Sequence, residues 1–400
     1  MLVPGCSDLK SQYRNLRQQV ALSDDQLIQI NVRKDPIQPC MRFFLHFKLE
    51  EIKQSFNQRK TIFFANTGIL NEKTDKTNYK KLAKLFAHNL MQKEVQRIDD
   101  PTTATSTGVL GRMMDVLHGM TDNDGNPYKV GSIFVLDRST ALVGEVGKSP
   151  VPITVKKKGS TIFDPYPWSD REKWKNVDLM SSIRSLNNAT AFGSSLFSEA
   201  WSSDLLRSIE ESKIIETALS NAKITEKFSA YDYSEKLKQV ASLIQTADIR
   251  GVDRDAFYVE FGGWDHHVDL ENLLKLRFEK LDSALGEFWR ELAYQGNENK
   301  VALVAISEFG RTLTPNTGDG TDHAWGGHYF MQGKFRRLNL IMMGKFITHV
   351  IKSVSFRWRR ERRKDNGRIS RFRGTIKRGW WPWSGKVYPL NLMGSNLERC

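Results

Sequence analysis

The sequence predicts an α/β fold with a mainly parallel central sheet covered by helices, and three stretches carry that prediction. Ala256 to Phe261 and Val301 to Ile306 are short apolar runs, β-branched or aromatic, that read as buried strands. Between them, Asp269 to Gln295 sets Leu274, Phe278, Leu281, Leu285, Phe288 and Leu292 at steps of three and four, with charge on the other face of a helix. Strand, long helix and strand make a βαβ crossover, which joins parallel neighbours in one sheet.

The other elements follow in chain order. Asp8 to Gln29 is polar with sparse Leu and Val, a helical or irregular lead-in, and the two prolines of Asp35 to Cys40 mark a loop. Met41 to Phe47, MRFFLHF, is aromatic and basic and receives no assignment. Glu50 to Arg59 reads as a short helix, and Thr61 to Ala65 as a buried strand that ends at Asn66, Thr67 and Gly68. Tyr79 to Arg97 has Leu82, Leu85, Phe86, Leu90 and Val95 at mostly helical spacing and contains His88 and Asn89. A Thr-rich loop from Asp99 to Gly108 leads into a helix at Val109 to His118. Thr121 to Pro127 is acidic but lacks the later bidentate Glu of an EF-hand, so it reads as a turn. Ser132 to Leu136 reads as a strand; Asp178 to Leu186, Trp201 to Asn221 and Tyr233 to Thr246 read as the helical cover.

The chain of 400 residues is 40% hydrophobic, enough for a sizeable core and unlike a disordered chain. Its net charge of +14 is unevenly placed: Met331 to Cys400 has 18 Lys and Arg against three acids, which leaves about −1 for residues 1–330. Nucleic-acid binding by residues 1–333 therefore has no electrostatic support. The expected division is an α/β domain over residues 1–333 and a basic, Trp-rich tail over 334–400, read as a disordered extension or an altered C-terminus. Aromatics between arginines, as in RWRRERRKDNGR and RFRGTIKRGWWPW, also admit binding of single-stranded nucleic acid or a membrane surface. The N-terminus has no basic region followed by an apolar one, so no signal peptide is expected, although a longer exported form is compatible with the sequence. No apolar run approaches the roughly 20 residues of a transmembrane segment. Cys6 and Cys40 read as two buried thiols, or as a pair if the protein is exported.

Chemistry concentrates after the two strands. Gly262 and Gly263 turn the chain into WDHH, with Asp265, His266 and His267. Ser307 to His328, SEFGRTLTPNTGDGTDHAWGGH, holds Glu308, Arg311, Asp319, Asp322, His323 and His328 in a segment rich in Gly and Thr. In open α/β sheets ligands gather beyond the carboxyl ends of strands, so the two loops point to one shared metal site. Six candidate ligands, Asp265, His267, Glu308, Asp322, His323 and His328, offer hard oxygen and borderline imidazole donors suited to zinc, manganese, iron or magnesium. An Asx-turn explains Asp319 or Asp322 equally well.

The segments GGWDHH, SEFGRT and GTDHAWGGH, in this order, resemble motifs of the domain of unknown function 1501 family, within the alkaline-phosphatase and sulfatase-like superfamily. A weaker likeness runs back through FFANTGIL, LFAHNLMQKEVQR and STGVLGRMMDVL. The resemblance implies two divalent metals about 4 Å apart acting on a small anionic ester, phosphate or sulfate. It implies that Asp265, His267, Glu308 and His323 are ligands and that Arg311 clamps the anion. At AHN it gives His88 and Asn89 a substrate-binding role. Thr67 is the candidate nucleophile, with Ser106 and Thr107 as alternatives, and a metal-bound water would need none of them. A first metal-binding acid expected in an upstream Gly-Gly-x-Asp segment has no counterpart, so the domain reads as incomplete at both ends. Metal-dependent ester hydrolysis is thus the leading expectation, and an inactive binding relative the alternative.

Overall fold

The computed structural model describes residues 1–32, 40–69, 86–97, 107–156, 185, 196–334 and 341–343. The expected helix Asp178 to Leu186 except residue 185, the first part of Tyr79 to Arg97, Ser106 and the tail beyond 343 lie outside the described residues.

Helices and strands alternate as expected of an α/β chain, but they form several sheets. β1 (Leu2–Pro4), β2 (Leu27–Asn31) and β3 (Arg42–His46) make an antiparallel sheet in the order β1-β3-β2. The unassigned MRFFLHF stretch is therefore a central strand, and it buries Phe43, Leu45 and His46. Helix α1 (Ser7–Arg17) lies between β1 and β2, and α2 (Glu50–Asn57) follows β3. β4 (Thr61–Thr67) then enters a second sheet, whose order of strands becomes clear only from the C-terminal part of the domain. Two short helices, α3 (His88–Arg97) and α4 (Val109–His118), precede β5 (Val130–Val135) and β6 (Ile153–Val155). Two longer ones, α5 (Leu196–Asn221) and α6 (Asp232–Gln245), and the single turn α7 (Ala247–Arg250) lead to β7 (Arg254–Val259). The long helix α8 (Leu270–Tyr294) ends before β8 (Ala302–Ala305).

The predicted parallel crossover from β7 to β8 does not occur. β7 pairs in parallel with β5, which pairs in parallel with β6, and this small sheet is separate from β8. β8 instead pairs antiparallel with β11 (Gly327–Gly333), which is also antiparallel to β4, and β12 (Ile341–Met343) runs parallel to β4. The cause is β11, whose mixed sequence GHYFMQG gave no strand signal. It inserts between β4 and β8, packs Phe330 near Phe63 at 6.3 Å between ring centroids, and buries Gln332. Gln332 accepts from Trp289 Nε1 at 2.8 Å and donates to Thr61 Oγ1 at 3.2 Å, so its buried amide is satisfied on both sides.

The core joins these layers: Leu45, Ile52, Phe56, Phe63, Ile133, Tyr233, Leu285 and Phe288 belong to one buried cluster. The helical spacing of α8 correctly selects Phe278, Leu281, Leu285, Phe288 and Leu292 for burial. Its charges do not all face outward, however, since Asp282, Glu287 and Glu291 are buried too. Each carboxylate accepts backbone N–H groups of another segment: Asp282 from Glu51 and Ile52, Glu287 from Ser229, Glu291 from Thr225 and Glu226. Cys6 and Cys40 form a disulfide with Cα atoms 5.5 Å apart, which corrects the reading of two thiols. Among the described residues no helix is long and apolar enough to cross a membrane.

Candidate metal centre

Two loops build the site, and backbone bonds lock one to the other. The chain after β8 forms a short antiparallel ladder, β9 (Gly310–Arg311) with β10 (His323–Ala324), which sets Arg311 opposite His323. Between them, residues 312–322 lie along the loop after β7. Thr321 N donates to His266 O at 3.0 Å, Asp269 N to Gly318 O at 3.1 Å and Leu270 N to Asp319 O at 3.0 Å. Asn316 holds the turn, accepting from the amides of Gly318 and Gly320 and donating to His267 O. Gly320 is required by space, because a Cβ there would stand 2.0 Å from the carbonyl carbon of His267.

Asp265 is the centre of the constellation. His323 Nε2 and His267 Nε2 each lie 3.0 Å from its Oδ1, and His88 Nε2 lies 3.4 Å from its Oδ2. His267 Nε2 and His323 Nε2 are 3.2 Å apart. The opposite nitrogens are anchored: His88 Nδ1 is 2.7 Å from Glu308 Oε1, His267 Nδ1 is 3.3 Å from Asp322 Oδ1, and His323 Nδ1 is 3.0 Å from Phe86 O. Phe309 floors the group, with its ring centroid 4.5 Å from His323 and 4.8 Å from His88. His88, Asp265 and His323 offer donor atoms that all lie within 4.8 Å of one another. The buried Nε2 of His88 makes no hydrogen bond, which leaves its lone pair free for a cation.

The electrostatics favour ionised acids. Burial opposes charge on Asp265, but hydrogen bonds from Arg311 and His323 outweigh it and hold the carboxyl well below the usual carboxylate range. Burial also opposes charge on Glu308, but hydrogen bonds from His88, Ser307 and its own backbone N–H together outweigh it and hold the carboxyl below its ordinary value.

Of the residues singled out in the sequence, Asp265, His267, Glu308, Arg311, Asp322 and His323 come together here. His88 joins them in the centre of the group rather than at a substrate-binding margin, while its neighbour Asn89 is exposed on the first turn of α3. His328 stands apart on β11 opposite Ala65, and among the described residues it bonds to none of the group. His266 turns away, its Nε2 on Gly263 O at 2.9 Å. Arg311 spends its guanidinium on Asp265 Oδ1 and on the hydroxyl and carbonyl oxygens of Thr321. Thr67 is buried and its hydroxyl faces Ala65 O at 3.5 Å. The alternative Thr107 accepts from Arg112 through both its carbonyl and its hydroxyl oxygen. Sequence reasoning missed Phe309, Thr321 and the Phe86 carbonyl; the first two sit inside SEFGRT and GTDH, whereas nothing local marks the third.

Residues 160–334 match the model of a family described as a protein of unknown function, DUF1501. The matched stretch carries Asp265, His267, Glu308, Arg311, Asp322 and His323 but not His88, and it supports the family resemblance. No curated protein and no solved structure matches the chain.

Proposed function

We propose that this chain is a metal-dependent hydrolase of a small anionic ester, phosphate or sulfate, related to the alkaline-phosphatase and sulfatase-like superfamily. The observation that carries the reading is the convergence of His88, His267 and His323 on Asp265 from three separated segments. A divalent zinc, manganese, iron or magnesium ion bound there would supply Lewis-acid stabilisation of the ester oxygens and a more acidic water. The chain's own groups then have distinct tasks. Asp265, ionised and about half exposed, turns one carboxylate oxygen to Arg311 and the other to His88. Arg311 adds positive charge beside it, which favours an anionic ligand. Glu308, joined to His88 Nδ1 at 2.7 Å, fixes the orientation of that ring so that its Nε2 faces Asp265.

A second reading, an inactive relative that binds an anion through the same cleft, draws support from Thr67 and Arg311. The hydroxyl of the first faces its own strand and the guanidinium of the second is already bonded to protein. Turnover of chromogenic phosphate and sulfate esters, measured on the full chain with each metal in turn, decides between them. Hydrolysis that falls at least about 100-fold in Asp265→Asn and His323→Ala supports the hydrolase. Tight anion binding without turnover under any metal supports the binding relative.

A further inference from the structure

We infer that the cluster is a single-ion centre whose ligands are the Nε2 atoms of His88, His267 and His323 with the Asp265 carboxylate, and that Glu308 and Asp322 position imidazoles instead of binding metal. This rests on the metal-dependent reading above and departs from the family resemblance, which implies two ions and makes Glu308 a ligand. Ligands about 2.0–2.1 Å from an ion in tetrahedral arrangement stand about 3.3 Å from one another. The three edges among Asp265 Oδ1, His267 Nε2 and His323 Nε2 are 3.0, 3.0 and 3.2 Å, close to that spacing; His88 Nε2 lies 3.4 Å from the other carboxylate oxygen, and its donor falls within 4.8 Å of those of Asp265 and His323. Protein hydrogen bonds alone do not explain this packing. Two Nε2 atoms face each other, and a third is buried without a hydrogen-bond partner.

The other ends of the rings give the roles of the acids. Metal-binding imidazoles commonly donate their second N–H to a carboxylate or a carbonyl, which fixes the tautomer and turns the free nitrogen to the ion. Here Glu308 takes the Nδ1 of His88, Asp322 that of His267, and the Phe86 carbonyl that of His323. The Phe86 backbone has φ of 67°, a left-handed conformation that is uncommon for a bulky residue. A nitrogen-rich set of three imidazoles and one carboxylate suits zinc or another late divalent ion better than magnesium.

The test is metal stoichiometry and affinity on the full chain, using Zn²⁺ by elemental analysis and Co²⁺ by its visible spectrum. The expected result is one ion per chain, lost in Asp265→Ala and His323→Ala. Glu308→Gln and Asp322→Asn should keep one ion and a similar Co²⁺ spectrum while binding about 10–100-fold more weakly. Circular dichroism of the metal-free variants separates a lost ligand from a lost fold. Two ions per chain, with a whole ion lost in Glu308→Gln or Asp322→Asn, would overturn the assignment yet leave the hydrolase reading standing. One ion bound as described, in a chain that turns over no ester, would sustain the assignment and defeat the hydrolase.

Discussion

The Asp282 carboxylate, in the middle of α8, accepts the backbone N–H of Ile52 at 3.0 Å and that of Glu51 at 2.8 Å, so one helix caps another across 230 residues of sequence. The first amides of α2 have no partner within their own helix, and the residue before it, Leu49, has no side-chain acceptor. Asp282→Ala removes both bonds and leaves two amides at a buried helix end. We expect it to cost about 2–4 kcal/mol in urea unfolding, and Asp282→Asn, which keeps one acceptor, to cost less. A loss below about 0.5 kcal/mol in the alanine form would show that water replaces the cap.

Acid sensitivity has a separate source. His46 is buried on β3, stacked on Phe47, and its Nδ1 accepts from Lys48 N at 3.2 Å. Burial, helped by the charges of Lys275 and Lys48, pushes its pKa down to about 4 from the ordinary 6.5. A depressed folded-state value means that the unfolded chain takes up the proton first as pH falls. The contribution is therefore complete above about pH 6.5 and is lost progressively toward pH 4, by up to about 3 kcal/mol. Asp282 has the opposite sign, because burial raises it to about 6, so its contribution is complete below the unfolded carboxylate range and declines as pH rises through 6. Single variants separate the two. Relative to the parent chain, His46→Gln should gain stability between pH 6.5 and 4, and Asp282→Asn should gain it between pH 4 and 6. An unchanged difference across either window would sink the corresponding assignment.

How much of this was legible in the sequence depended on whether the partners were local. Asp265 and His267 follow an aromatic strand through two glycines, and Glu308 follows the β8 run, so strand ends located them. His323 was placed by the Gly-rich loop around it. His88 was harder, since its role depends on a left-handed backbone conformation at Phe86 that apolar spacing does not foretell. His328 was misleading: the same Gly-rich loop carries it, but β11 begins there and takes it onto the β4 edge. The parallel crossover failed for the same reason, because the strand that displaced it has only two buried aromatics, Tyr329 and Phe330, among glycines and polar residues. Periodicity placed the apolar face of α8 correctly but could not place Asp282, Glu287 and Glu291, whose burial is stabilised by amides hundreds or tens of residues away.

The Cys6–Cys40 bond ties the residue before α1 to the segment that leads into β3 and closes a loop with a sequence separation of 34. Cross-linking a loop of that length restricts the unfolded chain by about 3–4 kcal/mol on the chain-entropy account. Reductant should lower the unfolding midpoint of the purified chain, and Cys6→Ser with Cys40→Ser should show the lower midpoint without reductant. Alkylation of the unreduced, unfolded chain should label Cys400 alone. Labelling of all three cysteines in protein prepared under oxidising conditions would show that the bond does not form.

Gly320 links backbone geometry to the chemistry of the site. It sits where the 312–322 loop crosses the loop after β7, next to Thr321, whose N–H donates to His266 O and whose oxygens hold Arg311. A methyl group at Gly320 would meet the His267 carbonyl carbon at 2.0 Å, which no side-chain rotation relieves because both partners are backbone. The loops must separate, and with them Asp265 and His267 on one side and Asp322 and His323 on the other. Gly320→Ala should therefore weaken Zn²⁺ binding at least about 10-fold and cost roughly 1–3 kcal/mol of stability, as overpacking at a rigid contact does. Gly125→Ala is the control: it has φ of 87° but nothing within 4 Å of an added Cβ, so it strains the turn without touching the site. If both variants lose stability and neither loses metal affinity, the registration of the two loops does not set the donor geometry. A loss of affinity confined to Gly320→Ala ties the Asp265 and His323 contact to this single backbone crossing.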